Sequence, residues 1–373
     1  MKMKVLQVVS AMDDGGAQTL IKDYAYLLDK DKYEVKIVVI QNIVNSANYK
    51  LVSELGITVI PVFRRYNVVS RIARKTIGNK YVPYKLLQII NQENPSIIHI
   101  HLPILKYFAP ISKYLVGINL FYTCHNLPSI MFYGKHIEEY RAANKLIKEN
   151  DLTIIALHEE MKNELSKMFC TKRIKVIHNG VDFVRFKQLN EKSHSLRTEL
   201  GIPENALVIG HIGRFTEQKN HKFLITIFEE VLRRKCDSYL VLIGDGKLKP
   251  VIKRNVSELG IDSQVIFLNN RTDIPELLHI MDVFVFPSSY EGLSVTLVEA
   301  QTAGVRCIVS DRVNRETILS AETISVSLNS SVDEWIRPIL DTSIKNNVFG
   351  EISDFNMKNE IKRVESLYLG KKS

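Results

Sequence analysis

The stretch Phe284–Ala300 reads FVFPSSYEGLSVTLVEA. It opens as a short β-branched and aromatic run, breaks at a Pro-Ser-Ser turn, and continues into an apolar segment. Ser294 is a good N-cap, so the pattern predicts a strand over Val283–Phe286, a loop, and a helix starting near Ser294. Two glutamates, Glu291 and Glu299, bracket seven residues, of which none is charged and four are apolar. Eight residues of helix rise about 12 Å, and with Glu291 just before the helix the carboxylates are expected roughly 9–12 Å apart. Paired acids flanking one glycosidic bond stand closer, about 5–5.5 Å or 6.5–9.5 Å depending on stereochemistry. The spacing therefore suits two ends of an elongated polar ligand better than one hydrolytic pair. Buried unpaired, such groups would cost several kcal/mol, which favours a hydroxyl-rich partner. One surface Glu plus one helix-capping Glu remains the plain alternative at this point.

The same strand–loop–helix scheme recurs along the chain. Apolar runs at Lys4–Val9, Val35–Ile40, Thr58–Val62, Ile97–His101, Leu120–Cys124, Leu152–Ala156 and Ile174–Ile177 alternate with helix-length amphipathic segments such as Ala17–Leu28. A second series follows at Leu207–Ile212, Ser238–Ile243, Gln264–Phe267, Val283–Phe286 and Arg306–Val309. Buried strands alternating with helices predict parallel sheets, hence α/β domains. The polar, strand-poor stretch from Asn179 to about Pro203 marks the join. Residues 1–185 are expected to form one Rossmann-like domain and 186–350 a second. Residues 351–373 are expected to form a final helix that packs on either domain.

At 373 residues the chain suits two domains, and no apolar run approaches the roughly 20 residues of a membrane helix. The start KMKVLQVVSAM reads as a first strand rather than a signal peptide, because DDGG follows where a cleavage site would stand. Cys124, Cys170, Cys236 and Cys307 are scattered without CxxC spacing, which points to a reducing cytosolic compartment with neither disulfides nor zinc. The net charge of +9 lies in the first half: residues 1–180 carry 25 Lys+Arg against 15 Asp+Glu. It is densest over residues 64–85, where Arg64, Arg65, Arg71, Arg74, Lys75, Lys80 and Lys85 meet no acid. A solvated basic face explains this. So does a surface facing anionic lipid or a pyrophosphate-bearing acceptor, each cation contributing about 1 kcal/mol near a membrane. No groove-reading motif accompanies the charge, so nucleic acid is not expected.

Three further motifs sit where loops leave strand C-termini, the edge at which open parallel sheets bind ligands. In DDGGAQ, Asp13–Gln18, the Gly15-Gly16 turn lets backbone approach a ligand, and the helix start favours an anion. No GxGxxG is present, so the dinucleotide fingerprint is missing. In HIGRFTEQKNH, His211–His221, Arg214 and Lys219 stand five apart in one loop, able to converge on a diphosphate. LIGDG, Leu242–Gly246, ends a strand in a Gly-rich turn, as cleft wall or as plain architecture. His99 and His101 share one strand face, and His125 falls at a strand C-terminus without the companions a zinc site needs.

Taken together, these residues resemble the retaining glycosyltransferases of family 4, with the GT-B fold of two Rossmann-like domains facing across a cleft. The likeness spans nearly the whole chain and is strongest over Val208–Asp311. It is most similar to bacterial exopolysaccharide and capsule transferases through GGAQTLI and EGLSVTLVEAQ. The resemblance implies that Arg214 and Lys219 grip the donor diphosphate, Glu299 binds the ribose, and Glu291 holds the transferred sugar. It implies donor contacts from backbone around Gly292, Leu293 and Ser294 and a phosphate approach at Gly16. His125 would lie near sugar and acceptor, and the base would rest on the loop at Asn269, Asn270 and Arg271. It implies no metal or cofactor, a UDP-sugar as donor, and an acceptor that is a glycan or glycolipid at the inner membrane face. Gln18 stands where the family often has Glu, His178 where Pro or Asn is common, and Asn270 where Gly is frequent. A 2-epimerase of similar fold and a non-catalytic partner subunit are the alternatives.

Overall fold

The structure, a computed structural model, describes residues 2–13, 15–63, 78–188, 191–269, 271–341 and 353–370. It divides into unit 1, Met1–Gly180 with Lys358–Ser373, and unit 2, Val181–Met357.

Unit 1 is a seven-stranded sheet of β1 (Met3–Val9), β2 (Tyr33–Gln41), β3 (Val59–Phe63), β4 (Ile97–His101), β5 (Asn119–Thr123), β6 (Thr153–Ala156) and β7 (Ile174–Val176). The order is β3-β2-β1-β4-β5-β6-β7 with every pairing parallel. Helices cover both faces of such a sheet, which is why β4 is buried at all five positions and reads as a continuous apolar run apart from its histidines. The helix Gly16–Leu27 buries Leu20, Ile21 and Tyr24 against this sheet, as their helical spacing predicts, with Ala25 beside them, while Leu27 of the same spacing is exposed.

Unit 2 is a six-stranded parallel sheet of β8 (Leu207–Ile212), β9 (Ser238–Ile243), β10 (Val265–Leu268), β11 (Val283–Phe286), β12 (Arg306–Ser310) and β13 (Ile324–Val326). Its order is β10-β9-β8-β11-β12-β13. Three-residue β13 is an edge strand outside the sequence reading, too short to show periodicity. Leu224, Phe228 and Val231 of the helix His221–Arg234 pack with Trp335 and Ile339 over the sheet. Both strand orders reverse once, at β1/β4 and at β8/β11, and such switch points open a crevice beyond the strand C-termini.

The C-terminal helix Met357–Tyr368 is held in unit 1 by polar contacts as well as by Val364 and Tyr368. Glu360, fully buried, accepts from the His178 backbone N–H at 2.9 Å and pairs with Arg363 at 2.7 Å. Glu365 accepts from Asp29 N–H at 2.9 Å. His178, which departs from the family pattern, is thus a backbone anchor for this helix. Among the described residues no helix is long and apolar enough to cross a membrane.

Candidate active site

At the switch point of unit 2, the loop after β8 carries Arg214 and Lys219, and the loop after β11 carries Glu291. Lys219 Nζ donates to Glu291 Oε1 at 2.7 Å, with 15% and 7% of the two side chains exposed. The Lys219 ammonium also lies 4.3 Å from the Phe286 ring centroid. Its stem runs over Gly213, where a Cβ would come within 3.1 Å of Lys219 Cδ and Cε. Burial pulls the Lys219 ammonium below its ordinary value; Glu291 opposes this and Arg214 adds to it. Lys219 is thus paired to Glu291 and lies within reach of the charge of exposed Arg214, so that two cations stand against one carboxylate. Such a site calls for an anion.

The loop after β8 is shaped by LIGDG. Gly244 and Gly246 adopt φ of +139° and +154°, and a Cβ at Gly244 would stand 2.3 Å from Gly213 O. Phe215 N–H donates to Asp245 O at 2.9 Å, and Gly213 N–H to Ile243 O at 3.0 Å. These glycines back the Arg214 loop with backbone, so the turn is a wall of the site. Lys249, unremarked in the sequence, donates to Gly244 O at 2.8 Å and Asn269 Oδ1 at 2.7 Å, tying this wall to the loop after β10.

The helix after β11 runs Val295–Thr302, with Ser294 as N-cap accepting from Leu297 N–H at 3.4 Å. Glu291 precedes it and Glu299 lies within it, half-buried. A Cβ at Gly292 would meet open space, so its backbone is accessible to a ligand. Gln301, 1% exposed, holds the helix in place: Nε2 donates to Leu297 O and Thr317 O, and Oε1 accepts from Leu319, Ser320 and Thr323. Gln301→Ala strands these groups without water, and an expected loss of about 2–4 kcal/mol follows, measurable by urea unfolding. Arg271 is engaged by Asp273, Nε donating at 2.7 Å, while Asn270 lies outside the described residues.

In unit 1, Gly15 is the N-cap of the helix Gly16–Leu27, which has no side-chain cap and no acid in its first turn. Its N-terminal N–H groups are left to an anion, and a Cβ at Gly16 would meet nothing within 4 Å. A Cβ at Gly15 would stand 2.7 Å from Gln18 Oε1. Gln18 is buried and donates to Ala11 O at 3.3 Å and to Asp13, so the amide supports the turn. His125, past β5, bonds His101 at 2.9 Å, and burial lowers its pKa to about 3. Of the basic run, Arg64, Arg65, Arg71, Arg74 and Lys75 lie outside the described residues, while Lys80 and Lys85 sit on the helix Gly78–Glu93.

Among the described residues no cluster of three His, Cys, Asp or Glu is placed to hold a metal ion. The triplet Asp29–Asp31 sits in the turn before β2, at the sheet edge opposite the loops, with Asp29 paired to Lys32 at 2.5 Å. The four cysteines are free.

Two doubly wound parallel units make up the GT-B fold class. Family comparisons match residues 14–185 to "Glycosyltransferase Family 4" and residues 193–346 to "Glycosyl transferases group 1". The chain belongs to glycosyltransferase family 4. It is 28% identical to the putative glycosyltransferase EpsF of Bacillus subtilis over 344 residues, covering 90% of this chain and 86% of that one. It is 26% identical to an Escherichia coli UDP-Gal:alpha-D-GlcNAc-diphosphoundecaprenol alpha-1,3-galactosyltransferase over 303 residues, 76% of this chain and 78% of that one. The crystal structure of Anabaena HepE with UDP and glucose superposes with a TM-score of 0.78 at 19% identity, covering 98% and 99% of the two chains, which shows the shared fold.

Proposed function

We propose that this transferase moves a sugar from a UDP-sugar, with retention and without a metal ion, to a hydroxyl of a lipid-diphosphate-linked oligosaccharide. The observation that carries the reading is the buried Lys219–Glu291 pair beside exposed Arg214 at the unit 2 switch point. Arg214 and Lys219 take the donor diphosphate and the charge that grows on it, the function a metal serves elsewhere. Glu291 holds hydroxyls of the transferred sugar, Glu299 the ribose, and the backbone of Gly292, Leu293 and Ser294 the donor phosphates. The loop at Asn270 and Arg271 takes the base. On unit 1, Gly15 and Gly16 face the distal phosphate and His125 the acceptor. In the reaction the bond from anomeric carbon to diphosphate oxygen breaks as the bond to the acceptor oxygen forms on the same face. The acceptor proton passes to the departing diphosphate oxygen.

The UDP preference and the acceptor draw support from what the Escherichia coli relative is named for and from the UDP and glucose bound to Anabaena HepE. The lipid-linked acceptor in the Escherichia coli relative's name and the basic N-terminal half support our reading of a place in exopolysaccharide or capsule assembly, cytoplasmic and peripheral to the membrane. Thermal unfolding with UDP, GDP, ADP and CMP tests the donor. A ligand at 100 times its dissociation constant stabilises by about 2.7 kcal/mol, so UDP alone is expected to raise the midpoint clearly. Stabilisation by none of the four, or by GDP in place of UDP, overturns the assignment. Product analysis without acceptor separates transfer from 2-epimerisation.

A further inference from the structure

β1 is an apolar strand with one amide inside it, Gln7, which is fully buried. It pairs in register with His99 of β4. Its Nε2 donates to Tyr368 Oη at 3.0 Å, and its Oε1 stands 2.8 Å from His101 Nε2. His101 Nδ1 in turn stands 2.9 Å from His125 Nε2. On the far side, Tyr368 Oη lies 2.7 Å from His99 Nδ1, and His99 Nε2 lies 2.7 Å from Thr123 Oγ1. Six side chains from three strands, one loop and the C-terminal helix thus form a single hydrogen-bonded chain.

The proton positions along it follow from the amide. A carbonyl oxygen only accepts, so His101 Nε2 must carry a hydrogen. All three imidazoles are neutral because burial disfavours their charged forms. His101 Nδ1 is therefore a lone pair, and His125 Nε2 must be the donor to it. What remains on His125 is Nδ1, with a lone pair and no hydrogen-bond partner among the described residues. In the other direction Tyr368 Oη accepts from Gln7, donates to His99 Nδ1, and leaves His99 Nε2–H to donate to Thr123. Turning the amide over would invert each of these roles, since tyrosine and threonine hydroxyls serve either way, and would put the hydrogen on His125 Nδ1.

We propose that Gln7 is a positioning residue: its buried amide, with Oε1 turned to His101, fixes His125 through His101 in the Nε2–H tautomer. His125 thereby presents an acceptor rather than a donor at the strand C-termini of unit 1. That the group it accepts from is a non-reacting hydroxyl of the acceptor, beside the attacking one, rests on the function proposed above; the tautomer does not.

Two readouts test this separately. Nitrogen-detected NMR of the full chain with 15N-labelled histidine, without donor or acceptor, reads each ring. The expected spectrum has His125 and His101 as single Nε2–H tautomers, assigned with His125→Gln and His101→Gln. Gln7→Leu, which removes the amide without opening a cavity of consequence, is expected to leave His125 as a mixture of tautomers. Its kcat for transfer should fall by about tenfold with donor KM held, less than the roughly 10²–10⁴ lost with a general acid or base itself. A hydrogen on His125 Nδ1 in the unaltered protein overturns the proposal even if Gln7→Leu does not fold. So does an unchanged single tautomer in folded Gln7→Leu.

Discussion

Lys219→Ala is expected to lower kcat for sugar transfer by at least about 10²-fold, the scale set by removing one preorganised donor from a developing anion. The same change should destabilise unit 2 by about 3 kcal/mol, because Glu291 is left 7% exposed with no cation against it. The double variant Lys219→Met/Glu291→Gln separates the two effects. A neutral amide beside a thioether costs less to bury than an unpaired carboxylate, so urea unfolding should show most of the stability returning. Transfer should not return, since neither the diphosphate's cation nor the sugar's carboxylate is restored. Glu291→Ala alone should lose transfer while Lys219, freed beside exposed Arg214, keeps its affinity for UDP. Unaltered kcat in Lys219→Ala would remove the pair from the chemistry and leave it a structural ion pair.

The second large effect is acid instability. His99, fully buried, is held to a pKa of about 3 by desolvation, and His221 to about 4 by burial and the Lys219 charge. Burial likewise pulls His101 and His211 well down. An unfolded chain takes up a proton at each ring near pH 6.5, whereas the native protein does so only well below. Protons therefore favour the unfolded chain across this window, and stability falls as pH falls, by about 1.4 kcal/mol per pH unit for each such ring. Glu139 acts oppositely: burial raises it to about 7, so it gains stability from protonation between about 7 and its ordinary value. That is one strongly raised carboxyl in unit 1 against three depressed imidazoles there, His99, His101 and His125, and two more in unit 2. Urea unfolding at pH 7.5, 6.5, 5.5 and 4.5 should show the decline, and flat or rising stability would contradict it. His221 stacks on Phe215 at 4.0 Å with both ring nitrogens unpaired among the described residues. His221→Phe should therefore be more stable than the unaltered protein at pH 5, and its decline shallower.

The parts legible in the sequence are those whose signal is local. Strand β11, the turn after it and the Ser294 cap can be read because apolar periodicity, proline and an N-cap all act within a few residues. The strand–loop positions of Arg214, Lys219 and Glu291 follow from the same grammar. Their pairing does not, because Lys219 and Glu291 are 72 residues apart and only the adjacency of β8 and β11 joins them. The sequence reading aimed Lys219 with Arg214 at one anion and did not foresee that Lys219 also pairs with Glu291. Gln7 is the sharper case. A glutamine inside KVLQVV is a visible anomaly, but its partner Tyr368 lies 361 residues away on the last helix. Lys249 and Gln301 escaped for the same reason: on a helix each looks like ordinary surface polarity, and only tertiary contacts bury them. β13 escaped because three residues carry no period.

The central claim is that this chain transfers a sugar from a UDP-linked donor using the unit 2 switch-point pair. The most direct measurement supplies the unaltered protein with a UDP-sugar labelled in the sugar, a lipid-diphosphate-linked saccharide and a metal chelator, beside the Lys219→Ala/Glu291→Ala variant checked for folding by circular dichroism. The account predicts label in the extracted lipid with one UDP released per sugar moved, and none with the folded variant. Equal transfer by that variant, or conversion of the sugar-nucleotide to another sugar-nucleotide with no label in lipid, would contradict it.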